Sequence, residues 1–171
     1  MNQVSFPELV SCGDFYMYTF PMLTQLEFPK LQRCEEKVLL LSCSELTEVS
    51  FPKLEWMKNM EIRLCSKVSK LDLSSLKEVG EKLDLQDLAI TDLSGLRSLE
   101  KVGGRFNLQG MPEVTSLDGL TALKSVGEWQ IYNLPAISEV NVKGLELGTL
   151  SLQGSTIIGT KVVGDRVFSG V

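Results

Sequence analysis

The chain has no histidine. That absence removes Ser-His-Asp and Cys-His nucleophilic schemes, which need an imidazole to carry the proton. Cysteine is scarce too, four in 171 residues, and no two stand at Cys-x-x-Cys spacing, so neither a metal site nor a cofactor built on one is expected. Apolar residues never run beyond a few in a row, far short of the roughly 20 that cross a bilayer as a helix. The amino terminus, Met1-Asn2-Gln3-Val4-Ser5, lacks the charged-then-apolar order of a secretory signal. Positive charge is nowhere concentrated: 17 Lys and Arg are interspersed with 22 Asp and Glu, for a formal net charge of −5. No basic stripe is available to neutralise a run of phosphates, so neither nucleic acid nor membrane insertion is expected. No Pro/Gly/Ser-rich linker divides the chain, and one domain over 1–171 is the economical reading.

What is present is repetition. Leu9, Leu31, Leu54, Leu76, Leu99, Leu123 and Leu145 recur at steps of 22, 23, 22, 23, 24 and 22 residues, each opening a similar phrase. A period of this size marks a solenoid, in which each unit's apolar face is covered only by its neighbours. After each leucine comes an alternating apolar pair: Phe15/Met17, Val38/Leu40, Met60/Ile62, Leu83/Leu85, Phe106/Leu108, Trp129/Ile131, Leu150/Leu152. Such alternation predicts a short strand with one face buried. Apolar residues then return about every three positions, as in Leu108, Met111, Val114 and Leu117, with prolines interspersed. This beat predicts strand and turn, with at most one helical or 3₁₀ turn per coil. About seven coils, from about residue 5 to 154, are expected, with 155–171 a divergent last coil or cap.

Gly80, Gly103, Gly104 and Gly127 precede the strand pair and are expected at corners needing positive φ or tight approach. Gly103-Gly104 is followed by no lysine or helix start of a phosphate loop. Thr24, Thr47, Ser69, Thr91, Thr115 and Ser138 form a hydroxyl column, expected to satisfy turn backbone groups. An ice-ordering array would need a second hydroxyl column beside it, and that neighbour is mixed and charged. Cys12 and Cys34 share one core column and Cys43 and Cys65 another. They read as small apolar fillers, although stacking at about 4.8 Å also leaves Cys12–Cys34 or Cys43–Cys65 bridges within disulfide reach.

Phe28-Pro29-x-Leu31-x-x-Cys34, Leu117-Asp118-Gly119-Leu120-x-x-Leu123-x-x-Val126-Gly127 and Asn133-Leu134-Pro135-x-Ile137-x-x-Val140 resemble the repeats of receptor L domains. They are also similar to BspA-type leucine-rich-repeat proteins of bacterial surfaces and related fungal cell-wall proteins. The resemblance implies a right-handed, mainly β leucine-rich-repeat superhelix with a parallel sheet, used for recognition, adhesion or ligand display and not for catalysis. It also implies a cell-surface or secreted location, while the four thiols and the absence of an Asn-x-Ser/Thr sequon are compatible with a cytoplasm or a bacterium. The asparagine usual in leucine-rich repeats is replaced by Phe20, Cys43, Cys65, Leu88, Met111 and Leu134.

Alternation places two columns on the outward face of the strands. One runs Tyr16, Leu39, Glu61, Asp84, Asn107, Gln130, Ser151; the next runs Tyr18, Leu41, Arg63, Gln86, Gln109, Tyr132, Gln153. Tyr16, Tyr18, Leu39 and Leu41 are expected to form an exposed apolar patch for a protein or glycan ligand, extended by Glu61, Arg63, Gln86, Gln109 and Tyr132. Self-association through this face or through uncapped ends is a second use of the same surface. Glu61 and Asp84, stacked on adjacent coils, are the one candidate acid/base pair, through like-charge elevation of one pKa. Arg63 beside them points instead to a compensated surface, and the expected function is a non-catalytic binding scaffold. The alternative is a structural or assembly segment of a longer repeat protein.

Overall fold

The alternating pair of every phrase extends into a strand, and successive strands pair in parallel with their equivalents one coil away. The structure, a computed structural model, describes residues 2–154 and 161–163. Numbered in chain order, the front sheet comprises β2 (Ser11–Cys12), β3 (Phe15–Tyr18), β5 (Arg33–Leu41), β7 (Trp56–Arg63), β9 (Glu78–Gln86), β10 (Lys101–Gln109), β11 (Ser125–Tyr132) and β13 (Glu146–Gln153). With β2 and β3 both on β5, this makes seven coils. The back surface carries β1 (Gln3–Ser5), β4 (Gln25–Glu27), β6 (Glu48–Ser50) and β8 (Lys70–Asp72) in one short parallel sheet. Further along it lie β12 (Glu139–Asn141) and β14 (Lys161–Val163), which pair with each other. Apart from β14, the expected last coil or cap lies outside the described residues.

Between front and back lies the core. Leu31, Leu54, Leu76 and Leu99 are fully buried. Leu9, Leu123 and Leu145 pack against the same core but are only partly covered, so the leucine column is closed in the middle and open toward both ends. Three residues before these leucines, Phe6, Phe28 and Phe51 stack at 4.8 and 4.7 Å between centroids. Repetition of identical aromatic rings at one coil position thus becomes offset stacking along the solenoid axis.

Two coils replace the back strand with a 3₁₀ turn, η1 (Ser94–Leu96) and η2 (Asp118–Leu120), within the expected limit of one such turn per coil. The local sequence explains the switch. Asp92 Oδ1 accepts the Ser94 N–H at 2.8 Å and Ser116 Oγ accepts the Asp118 N–H at 3.3 Å, turns of the kind short polar side chains favour. Gly95 and Gly119 follow, and a Cβ at either would collide with backbone of the preceding coil, at Leu71 O and Leu93 respectively.

The other glycines correct an expectation. Gly80, Gly103, Gly104 and Gly127 are not corners and do not have positive φ; they lie inside β9, β10 and β11, beside the irregular register between Val102 and Arg105. Their role is close approach: a Cβ on Gly127 would stand 2.7 Å from Gly103 O. Positive φ falls instead just after the front strands, at Thr19, Ser42, Leu64, Asp87, Gly110, Asn133 and Gly154, one such position per coil, and besides these at Gly144 ahead of β13. In this turn Ser42 N–H donates to Arg63 O at 3.1 Å and Asp87 N–H to Gln109 O at 2.9 Å, each to the strand end of the next coil. The hydroxyl column acts locally as expected at Thr24 and Thr47, whose Oγ1 donate to Asn2 O and Thr24 O at 2.7 and 3.0 Å.

Candidate partner-binding face

Register along the front sheet joins the outward residues into two columns. Tyr16, Leu39, Glu61, Asp84, Asn107, Gln130 and Ser151 are successive Cα partners, as are Tyr18, Leu41 and Arg63, and Gln86, Gln109, Tyr132 and Gln153. The face runs from aromatic to charged to amide side chains.

Outward direction does not mean exposure for all of them. Tyr16 and Tyr18 are about half exposed, with rings stacked at 6.2 Å, and Leu41 is half-buried. Leu39 is only 9% exposed, which corrects the expected apolar patch: the tyrosines form its exposed part, and Leu39 of β5, beside Tyr16, is buried. Neighbouring side chains 4.8 Å apart on a flat ladder cover a small aliphatic residue between them. The same crowding buries Asp84 and Asn107.

At the centre of the face five charges interlock. Glu61 meets Lys37 at 2.7 Å, Arg63 at 2.8 Å and Lys82 at 3.5 Å. Asp84 meets Arg63 at 2.5 Å and Lys82 at 3.0 Å. Asp84 Oδ1 also accepts from Gln86 Nε2 at 2.8 Å and from Asn107 Nδ2 at 2.9 Å. Burial alone would raise the Glu61 carboxyl, but Lys37, Lys82 and Arg63 outweigh it and hold the group below the usual range. Burial likewise works against Asp84, and its bonds from Asn107, Gln86, Lys82 and Arg63 more than reverse the effect. This corrects the acid/base candidate. Three cations surround two carboxylates, both pKa values move down, and neither group is poised to deliver a proton near neutral pH.

Residues 72–158, half of the chain, match the family described as the LRR domain of the endo-beta-N-acetylglucosaminidase EndoS. The chain belongs to this leucine-rich-repeat family. No curated protein and no solved structure matches. The match establishes the leucine-rich repeat; the narrower likeness to receptor L domains and BspA-type proteins is not part of it.

Sequence reasoning missed Lys37, Lys82 and Asn107 as members of the leucine-rich-repeat domain's polar centre. The signal was available: Lys37 and Lys82 stand two positions before Leu39 and Asp84, in a third column linked through Asn59. The cysteines of the domain are free thiols, with Cys34, Cys43 and Cys65 buried and Cys12 partly exposed. Cys12 and Cys34 are Cα partners, and hydrogen bonding to Cys12, together with burial, pushes the Cys34 thiol far up.

Proposed function

We propose that this leucine-rich-repeat domain is a non-catalytic recognition module that binds a protein or glycan across its front sheet. The observation that carries the reading is the juxtaposition of two exposed, mutually stacked tyrosines with an interlocked charged centre on one parallel sheet. Tyrosine and arginine make good anchors because each brings area and a directional polar group at modest entropic cost. Tyr16, Tyr18 and Leu41 would supply the apolar contact, Glu61 and Arg63 the charged one, and Gln86, Gln109 and Tyr132 adaptable hydrogen bonds. Glycan stands beside protein as a ligand class because the family is named for a domain of an endo-beta-N-acetylglucosaminidase. A cell-surface or secreted location belongs to the same proposal.

The test screens the chain on a glycan array and a protein array, then repeats every hit with Tyr18→Ala, Arg63→Ala and Gln109→Ala. At least two of the three variants should weaken a true ligand about tenfold or more, with unchanged melting midpoint for Tyr18→Ala and Gln109→Ala. A ligand indifferent to all three binds elsewhere, and cleavage of an arrayed glycan would end the non-catalytic reading.

A second reading, assembly with further protein at the first coil, is favoured by the exposure of Val10, Phe20 and Met22 there. Sedimentation that shows dimers dissolved by Met22→Glu, with the front-face variants unaffected, would select it.

A further inference from the structure

On the far side of the core, the back surface changes twice, from β8 to η1 and from η2 to β12. A pocket lies at each change. The first, about 390 Å³, is a dish whose Lys70 pairs with Glu48 at 3.7 Å and whose Asp72 and Asp92 accept backbone N–H groups. Those four side chains are already engaged with protein partners.

The second pocket differs. Leu117, Leu123 and Leu145 line it, and Leu123 and Leu145 belong to the column that is fully buried at Leu31 through Leu99. Here the step between phrase leucines is 24 residues, the longest in the chain. Trp129 also lines the pocket; it is 2% exposed, and among the described residues its indole N–H has no acceptor. A buried indole usually finds a partner, and an orphan donor costs about 1–3 kcal/mol. At this strand position every other coil uses Phe, Val, Met or Leu, so the polar atom is particular to the coil that opens. The lining also includes the hydroxyl residues Thr115, Thr121 and Ser138, the carboxylate residue Asp118, and Asn141, whose Oδ1 accepts the Lys143 N–H at 3.0 Å.

We infer that this pocket is a binding site for one neutral sugar unit. Its volume, about 340 Å³, is at the small end of ligand pockets, about 300–1,000 Å³, and suits a single ring. The ligand must present an oxygen acceptor to Trp129 Nε1, aliphatic C–H surface to the three leucines, and hydroxyls to the rim. A hydrocarbon leaves the indole and the rim unmet. Among the described lining residues an anion meets the carboxylates of Asp118 and Glu139 against one cation, Lys143, and a simple cation has no acceptor for the indole. A pyranose satisfies every requirement without net charge. This site lies behind the outward face of the front sheet, reached from it by Trp129 of β11, and does not rest on the reading proposed for that face.

The experiment titrates the ¹⁵N,¹³C-labelled chain with glucose, galactose and N-acetylglucosamine, following the indole N–H resonances and the Leu123 and Leu145 methyls. At least one sugar should shift Trp129 and both methyls saturably while leaving Trp56, which lies under Arg33 on the surface at 3.8 Å, unmoved. Trp129→Phe, read through the methyls, should weaken binding three- to tenfold, the size of one hydrogen bond. Asp118→Ala, on the exposed rim, should weaken it comparably with an unchanged melting midpoint, and it serves if the tryptophan variant fails to fold. No saturable shift with any of the three sugars overturns the site. A response to free leucine or hexanoate without one to sugar overturns the ligand class, and affinity unchanged from the parent chain in both Trp129→Phe and Asp118→Ala overturns the binding geometry.

Discussion

Arg63 Nη2 lies 2.5 Å from Asp84 Oδ2 although the two residues belong to different columns of the sheet. The diagonal contact ties adjacent coils together through side chains as well as backbone. Asp84 is buried and holds four partners, so removing its charge leaves Arg63 and Lys82, together with Lys37, to be balanced by Glu61 alone. Breaking a buried pair costs about 3–5 kcal/mol. Arg63 and Lys82 retain 33% and 27% exposure and can turn partly to water, which discounts the figure. We expect Asp84→Asn to cost about 2–3 kcal/mol in urea unfolding, and a loss near zero would show that the cluster is a solvated surface.

Acid should loosen the same cluster. Glu61 and Asp84 have folded pKa values below their ordinary 4.5 and 3.8. Through that window the unfolded chain binds more protons, so stability rises with pH. Their contribution is full above the ordinary values and is lost as pH falls through the lower, folded ones. The double variant Glu61→Gln/Asp84→Asn should therefore show a flatter decline of urea midpoint below about pH 4.5 than the parent chain. Parallel declines would place the acid-sensitive groups elsewhere.

Leu64 occupies the left-handed turn position with φ 55° and is 57% exposed. An L residue there costs about 1–2 kcal/mol, against roughly 0.5–1 kcal/mol for the freedom glycine gains on unfolding. With little burial to lose, Leu64→Gly should raise stability by about 0.5–1 kcal/mol. Gly110→Ala should lower it, because φ there is 66° and a Cβ would collide with the Asp87 side chain. Thermal midpoints moving in the same direction would contradict this assignment.

These positions mark how far the sequence could be read. Period and alternation identified the coils, the buried pairs and the outward columns, because stacking repeats equivalent environments at fixed spacing. The left-handed column escaped notice because only Gly110, Gly154, Asp87 and Asn133 carry residues that favour it, while Thr19, Ser42 and Leu64 are imposed by their neighbours. Exposure at Leu39 is illegible for a related reason: alternation reports direction, and cover depends on neighbouring side chains that the pattern does not fix. The pocket beside Trp129 was legible only as a one-residue lengthening of a step.

The cysteines give a chemical check on the stacking. All four should react after denaturation without reductant, since each is a free thiol. In the native protein, partly exposed Cys12 should react first, whereas Cys34, Cys43 and Cys65 should wait for unfolding because burial denies the reagent access. Two or no thiols after denaturation would mean that the Cys12/Cys34 or Cys43/Cys65 pairs had oxidised.

The leucine column permits a comparison within a single side-chain type. Leu99 is fully buried between neighbouring coils, whereas Leu123, the next member, lines the back pocket and is partly covered. Truncating Leu99 removes buried methyl groups and leaves a closed cavity, for an expected cost of about 2–5 kcal/mol in Leu99→Ala. Leu123→Ala enlarges a space that water already reaches, so the cavity contribution largely disappears and the cost should be about half as large. Urea unfolding of the two variants measures the difference directly. Equal losses would mean that the pocket closes in solution and that the core is as tight at Leu123 as at Leu99.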